Sequence, residues 1–255
     1  MTVCELYAFL NEKIPASLSC EWDHDGLMCC PDAEKQVKKV LVALDITAAV
    51  VESAIAGGYD VILSHHPLIF SPLGALTQDD PVARKIMRLV RADVAAMSFH
   101  TRLDAVTGGV NDKLAAILGL DGVRPFGNAG EEIGRIGDLP CEMTAEAFAA
   151  HVKHCLGADQ VLLSDAGLPV CRVAVLGGSG SDDVIAAKRA GADTYLSGEL
   201  KHNWLTEAPE RGINLIAAGH FHTEDPVCEV LRELVHKADP TLRVDLINSN
   251  PVKAI

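Results

Sequence analysis

Two adjacent histidines, His65 and His66, end an apolar run and are followed at once by Pro67. Imidazole nitrogens in such a place ligate a metal, move a proton or simply fill a core. Two other stretches bear on the choice. The run VAAMSFH (94–100) continues as TRLD, which gives His100, three residues, then Asp104. The run INLIAAGH (213–220) continues as FHTE, which gives His220, three residues, then Glu224. Imidazole nitrogen with carboxylate oxygen is a ligand set for divalent Zn, Fe, Mn, Co or Ni. Five or more such groups exceed what one catalytic zinc with an open position uses. They suit two ions about 3.5–4 Å apart, bridged by a carboxylate or a water whose pKa falls toward neutral, so that it serves as a hydroxide nucleophile. A lone histidine in an apolar strand is ordinarily a satisfied core or surface residue, and His-x-x-x-acid alone says little. The metal reading rests on the pair at a strand tip together with two such elements elsewhere.

The surrounding elements must bring these groups together. KKVLVALD (38–45), YDVILSHH (59–66) and VAAMSFH (94–100) read as strands. ITAAVVESAIAGG and DPVARKIMRLVRAD (80–93) read as the helices between them. Strands alternating with helices predict parallel pairing in an α/β sheet. Adjacent strand residues point to opposite faces, so His65 and His66 converge only at a strand end, where Pro67 breaks the ladder. Carboxyl ends of parallel strands are also where open α/β sheets hold ligands. Asp45, at the end of the first strand, either orients a histidine or caps the helix starting near Thr47.

Residues 124–170 change character, with Gly and charge in RPFGNAGEEIGRIGDLP suggesting edge strands or a linker. TAEAFAAHVKHCLG (144–157) reads as a helix capped by Thr144, with Glu146 in its first turn. The first pattern then returns. With Val40 set on Val173 and no gaps, VLVALDITAAVVESAIAGGYDVILSHH lies over VAVLGGSGSDDVIAAKRAGADTYLSGE. Gly58 meets Gly191, Asp60 meets Asp193, and Leu63 and Ser64 meet Leu196 and Ser197. This predicts an internal duplication: a first α/β half over 1–125 with SHHP and HTRLD, and a second over 126–255 with SGELKHN and GHFHTE.

The 255-residue chain carries net charge −13, with 49% hydrophobic and 22% charged residues. That is a globular composition, and the acidic balance argues against nucleic acid or an anionic membrane as partner. The N-terminal MTVCELYAFLNEKI lacks the basic start and unbroken apolar core of a signal peptide, and no run approaches the ~18–20 apolar residues that span a bilayer. A cytoplasmic location is expected. Of eight cysteines none forms CxxC, so they are expected to be plain reduced thiols, the Cys29–Cys30 pair included.

SHHPLIF, SFHTRLDAVTGGVND, LSGELKHN and AGHFHTED together resemble the Nif-three-like dinuclear metal proteins, often called GTP cyclohydrolase 1 type 2 homologs. WDHDGLMCC (22–30) resembles that family's WDN-x-GL segment, with His24 where asparagine is usual. The resemblance runs nearly end to end and implies two similar, intertwined α/β domains with the metal site at strand C-terminal ends between them. It implies that His66 and Asp104 bind one ion, His65 and His220 the other, that Glu224 bridges them, and that His100 lies beside the ligands. It further implies a homohexameric ring. Glu199 and Lys201, in SGELKHN, align near the tip where the first copy has its histidines. They are the candidates for a general base and a phosphate contact. Many family members carry a histidine where this chain has Asn203. His222 is either a proton shuttle or a surface histidine. LGGSGSDD (176–183) is either a tight turn or a phosphate cradle, but not a Walker A or a clean GxGxxG.

The function so implied is a dinuclear metal-dependent hydrolase acting on a nucleotide or related small molecule, GTP ring opening being the case the family name suggests. The alternative is a metal-binding carrier or scaffold without turnover, using the same ligands.

Overall fold

A computed structural model describes residues 1–128 and 130–253. In chain order the helices are α1 (Val3–Lys13), α2 (Ala48–Gly57), α3 (Pro81–Ala92), α4 (Thr101–Ala105), α5 (Val110–Ile117), α6 (Ala145–Leu156), α7 (Val184–Arg189), α8 (His202–Arg211), α9 (His220–Glu224) and α10 (Val227–Ala238). The strands are β1 (Gly26–Cys29), β2 (Lys39–Ala43), β3 (Val61–Ser64), β4 (Ala95–Ser98), β5 (Asp121–Asn128), β6 (Glu131–Met143), β7 (Leu162–Ser164), β8 (Val170–Ser179), β9 (Thr194–Glu199), β10 (Asn214–Ala217) and β11 (Arg243–Leu246). No helix among the described residues is long and apolar enough to cross a membrane.

The chain forms two compact units. The first is Met1–Val106 with Val227–Pro251; the second is Thr107–Pro226 with Val252 and Lys253. The chain thus leaves the first unit after Val106 and returns to it at Val227, which is the intertwining that the resemblance implied. The change of composition near 125 falls inside β5.

The first unit holds a sheet of order β1-β4-β3-β2-β11. β4, β3, β2 and β11 run parallel, and β1 closes the edge antiparallel to β4. Its helices start where their sequences dictate. Thr2 and Glu5 form a capping box on α1, Thr47 Oγ1 accepts the Val50 amide at 3.2 Å, and Asp80 accepts the Ala83 amide at 2.7 Å just before Pro81. Leu41, Ile62 and Ala96 of the sheet pack with Val50, Val51 and Ala54 of α2 and with Ile86 and Leu89 of α3. α10 and β11 complete this unit from the far end of the chain.

The second unit holds a sheet of order β5-β6-β8-β9-β10-β7. β8, β9 and β10 are parallel and the outer pairings antiparallel. The expected edge strands at 124–170 are β5 and β7, with β6 joining β5 to β8, and Thr144 caps α6 through the Ala147 amide at 3.2 Å. Both faces are covered: Val173 and Val175 face Phe148 and Val152 of α6, whereas Ala174 and Leu176 face Val184 and Ala187 of α7. Burial on both faces explains why β8 reads as a continuous apolar run rather than an alternating one.

The β2–β3 and β8–β9 pairs repeat one another to the residue. β2 pairs with β3 as Val40↔Val61 through Ala43↔Ser64, and β8 pairs with β9 as Val173↔Thr194 through Leu176↔Ser197. These are the positions matched by the gapless alignment. Asp60 Oδ2 accepts the amides of Lys38 and Lys39 at 2.8 and 3.0 Å; Asp193 Oδ2 accepts those of Cys171 and Arg172 at 2.9 and 2.7 Å. A shared carboxylate clasp with identical spacing is hard to obtain from two unrelated βαβ units.

Candidate metal centre

In the first unit the strand ends carry three imidazoles. His65 and His66 follow β3, and His100 follows β4 and caps α4. Their ring centroids lie 4.9, 5.2 and 5.7 Å apart. One nitrogen from each falls within 4.8 Å of the others, a spacing able to hold an ion.

Each ring is turned by its Nδ1. His65 Nδ1 lies 2.9 Å from the Phe99 carbonyl oxygen, His66 Nδ1 2.8 Å from Asp45 Oδ1, and His100 Nδ1 3.1 Å from Asp23 Oδ2. A carbonyl or carboxylate oxygen only accepts, so all three Nδ1 atoms carry the proton and donate. Nε2 is then the nitrogen with a lone pair in every ring. This is how ligating histidines are commonly held. Asp104, on α4, brings Oδ1 to 3.7 Å from His65 Nε2. His65 is fully buried and Asp104 nearly so. Asp45 therefore orients His66, and the helix cap falls to Thr47.

The groups behind His100 come from WDHDGL, whose two acids the sequence alone leaves unassigned. Asp23 accepts from the His100 ring, from the Thr101 amide at 3.0 Å and from the Thr101 hydroxyl at 2.7 Å. Burial alone would raise its pKa, but these bonds hold it at about 2. Asp25 Oδ2 accepts the His100 amide at 2.6 Å and Arg102 Nε at 2.9 Å, and both of that ion pair's side chains are buried. Arg102 also donates to Asn11 and to the Ile14 carbonyl. The signal was available: two acids spaced by one residue beside an aromatic, in a chain with histidines to anchor.

In the second unit His220 and Glu224 lie one turn apart on α9, with Nε2 and Oε2 3.0 Å apart. Glu199, at the end of β9, places Oε1 3.5 Å from His220 Nδ1 and is 60% exposed along its side chain. Lys201 caps α8, exposed, 3.5 Å from Asp182. His222 lies against the Phe221 ring.

LGGSGSDD is the end of β8 followed by a single 3-10 turn (Ser181–Asp183) into α7, and its glycine amides serve the fold rather than a phosphate. The amides of Gly177, Gly178 and Gly180 are donated to Asn111 Oδ1, Thr223 Oγ1 and the Glu199 carbonyl. At Gly178, φ is +66°, and a Cβ would strike Glu224 Oε1 and come within 3.1 Å of His220 Nε2. The glycine lets the strand pass close enough to α9 to support that pair. GGVND likewise builds the second unit: Asp112 accepts the Gly108 amide and pairs with buried Arg135 at 2.8 Å.

The duplication does not extend to the two His-x-x-x-acid elements. His100-x-x-x-Asp104 and His220-x-x-x-Glu224 are not structural equivalents. Phe99 donates its amide to Ser64 and Ala218 donates to Ser197, so His100 corresponds to Gly219 and His220 to Thr101. His100 stands outside its helix and His220 is the first residue inside its own. A histidine just before a helix can turn away from it, whereas one inside shares a face with the residue four positions on.

No disulfide joins the cysteines among the described residues. Burial, with Cys30 next to it, pushes Cys29 up to about 11, which fits an inert packing role.

The chain is similar to other proteins in sequence and in fold. A Clostridium perfringens protein named GTP cyclohydrolase 1 type 2 homolog is 34% identical over 242 residues, covering 92% of this chain and 91% of that protein. A Nostoc protein of the same name is 36% identical over 219 residues, covering 84% and 81%. Among solved structures, Staphylococcus aureus protein SA1388 superposes with a TM-score of 0.88 at 26% identity, covering 100% of this chain and 99% of that one. The family model Duf34/NIF3 (NGG1p interacting factor 3) matches residues 1–252, and the chain belongs to that family.

Proposed function

We propose that the protein is a dinuclear metal-dependent hydrolase acting on a nucleotide or related small molecule, in the cytoplasm and as a homohexameric ring. The observation that carries the reading is the common orientation of His65, His66 and His100, each with Nδ1 donated to a fixed oxygen. Core histidines need only one satisfied partner each. Three rings turned alike at neighbouring strand ends, with Asp104 beside them, form a donor set that fits a divalent cation. His66 and Asp104 would hold one ion, His65 and His220 a second, with Glu224 shared.

Ions bound there would supply Lewis-acid polarisation of the substrate and lower the pKa of water. The protein's own groups do the rest. Asp45, Asp23 and the Phe99 carbonyl keep the three rings from rotating, so no reorganisation is needed during reaction. Glu199 takes up a proton as general base, and His222 relays it to solvent. Lys201 meets the anionic part of the substrate. The relatives' name points to GTP as the first compound to try, although a fold shared with relatives does not fix a substrate.

The test is metal content per chain, by elemental analysis of untagged wild type and His66→Ala. About two equivalents in the wild type with clear loss in the variant support the centre, and turnover of GTP or a phosphoester then separates the hydrolase from a carrier. Near-zero metal in both proteins after reconstitution with iron, zinc or manganese would overturn it.

A further inference from the structure

Nine large apolar side chains are exposed among the described residues, and two of them are aromatic: Trp22, 53% exposed, and Phe70, 63% exposed. They come from different parts of the first unit, Trp22 ahead of β1 and Phe70 in the long loop between β3 and α3. Yet their ring centroids lie 6.1 Å apart, tilted by 54°. Both also stand edge-on to one histidine: Trp22 lies 5.9 Å from the His100 ring at 75°, and Phe70 6.2 Å from it at 73°. A scattered exposed apolar residue needs no explanation. Two aromatic rings meeting at the one imidazole that borders the ligand cluster do.

We propose that Trp22 and Phe70 form a stacking subsite for a planar heteroaromatic ring, which they hold beside His100. The separation and tilt leave no slot between the two rings. They form instead a corner, in which a flat ligand lies against the face of one and meets the edge of the other. Both geometries are favourable for aromatic pairs. The loop that carries Phe70 spans residues 65–80 and has no helix or strand of its own. A loop of that length in a compact domain is ordinarily functional. Charge points the same way: in a chain of net charge −13, long-range attraction does not gather an anionic substrate. Stacking on a π face needs no positive potential and tolerates different bases. The ring class follows from the corner itself. That the ring belongs to a substrate rests on the reading of the neighbouring histidines as the reaction centre.

The experiment uses the full-length chain. Its two tryptophans are Trp22 and Trp204, so Trp204→Phe leaves Trp22 as the only indole. Tryptophan emission is followed while guanosine 5′-monophosphate is added, with ribose 5-phosphate as the ringless control, on chelated protein and on protein reconstituted with Zn²⁺. Saturable quenching by the nucleotide but not by the sugar phosphate is expected. Phe70→Leu should weaken it about tenfold, and calorimetry on Trp22→Leu should show a similar loss. Absent quenching, equal binding of ribose 5-phosphate, or emission that follows protein concentration instead of ligand (a second copy covering the rings) would each overturn the subsite. Metal uptake without quenching removes the subsite alone. Quenching without metal uptake keeps the ring site and removes the dinuclear centre.

Discussion

The two units share a register and a carboxylate clasp, yet their strand ends are built on opposite principles. The first unit surrounds its imidazoles with charge. Asp45, Asp23 and Asp25 stand behind the rings, and Asp25 is tied to buried Arg102. The second unit packs its pair against glycines. The position matching Asp45 is Gly178 and that matching His65 is Gly198. A Cβ at either would run into α9 or its side chains. Duplication therefore preserved the frame, while the tips diverged into one that orients side chains through hydrogen bonds and one that admits a helix by removing them. A shared strand register does not imply identical chemistry.

The sharpest way to break this comparison is at the charge-built tip. Asp25→Ala leaves Arg102 buried without its carboxylate, and should cost about 3–5 kcal/mol. Urea unfolding would read it, and a loss below about 1 kcal/mol would mean that the Asp25–Arg102 pair does not hold the tip. At the glycine-built tip, Gly178→Ala combines a positive φ with overpacking against Glu224 and should cost about 2–4 kcal/mol. If its denaturation midpoint matches wild type, close approach to α9 is not what the glycine serves.

The shared clasp gives a smaller but paired effect. Asp60→Ala and Asp193→Ala each remove a carboxylate that accepts two backbone amides, so each should lose about 1.5–3 kcal/mol, and the two losses should agree closely. A large effect at one position and none at the other would show that the clasp supports only one unit.

The smallest expected effect separates the units by pH. Burial, with Asp182 and Glu131 nearby, raises Asp183 to about 6. A carboxyl whose folded pKa exceeds its ordinary value near 4 holds its proton more tightly when folded, so stability is lost as pH rises between about 4 and 6. Asp183→Asn keeps a partner for Asn128, which donates to Asp183 Oδ1 at 2.9 Å. The variant should melt slightly higher than wild type at pH 8 and equally at pH 3. A lower melting temperature at pH 8 would reverse the sign of this argument.

Much of the fold was legible because its signals are local. Thr47, Asp80 and Thr144 act as caps from one side chain and one amide three residues on. The gapless match of Val40 to Val173 survives into the hydrogen-bond register because a clasp such as Asp60 forces its spacing. The candidate ligands were legible from residue type and from their place at strand ends. What stayed hidden depends on partners distant in sequence. Asp23 and Asp25 find His100 across more than seventy residues. The return of α10 and β11 to the first unit pairs Val244 with Val40, a contact no local pattern encodes. The one-residue offset between His100 and His220 follows from where each helix starts, and short helices of five residues carry weak boundary signals.

By itself, then, the sequence determined the alternating strands and helices of the two repeats, the duplication and the candidate ligand residues, because apolar periodicity, caps and glycine stops act over a few residues. Only the tertiary structure decided which nitrogen each imidazole presents, which glycines make room for α9, and that Trp22 and Phe70 meet at His100. Those outcomes depend on side chains brought together by folding, and the energy of each contact exists only once the chain has closed around it.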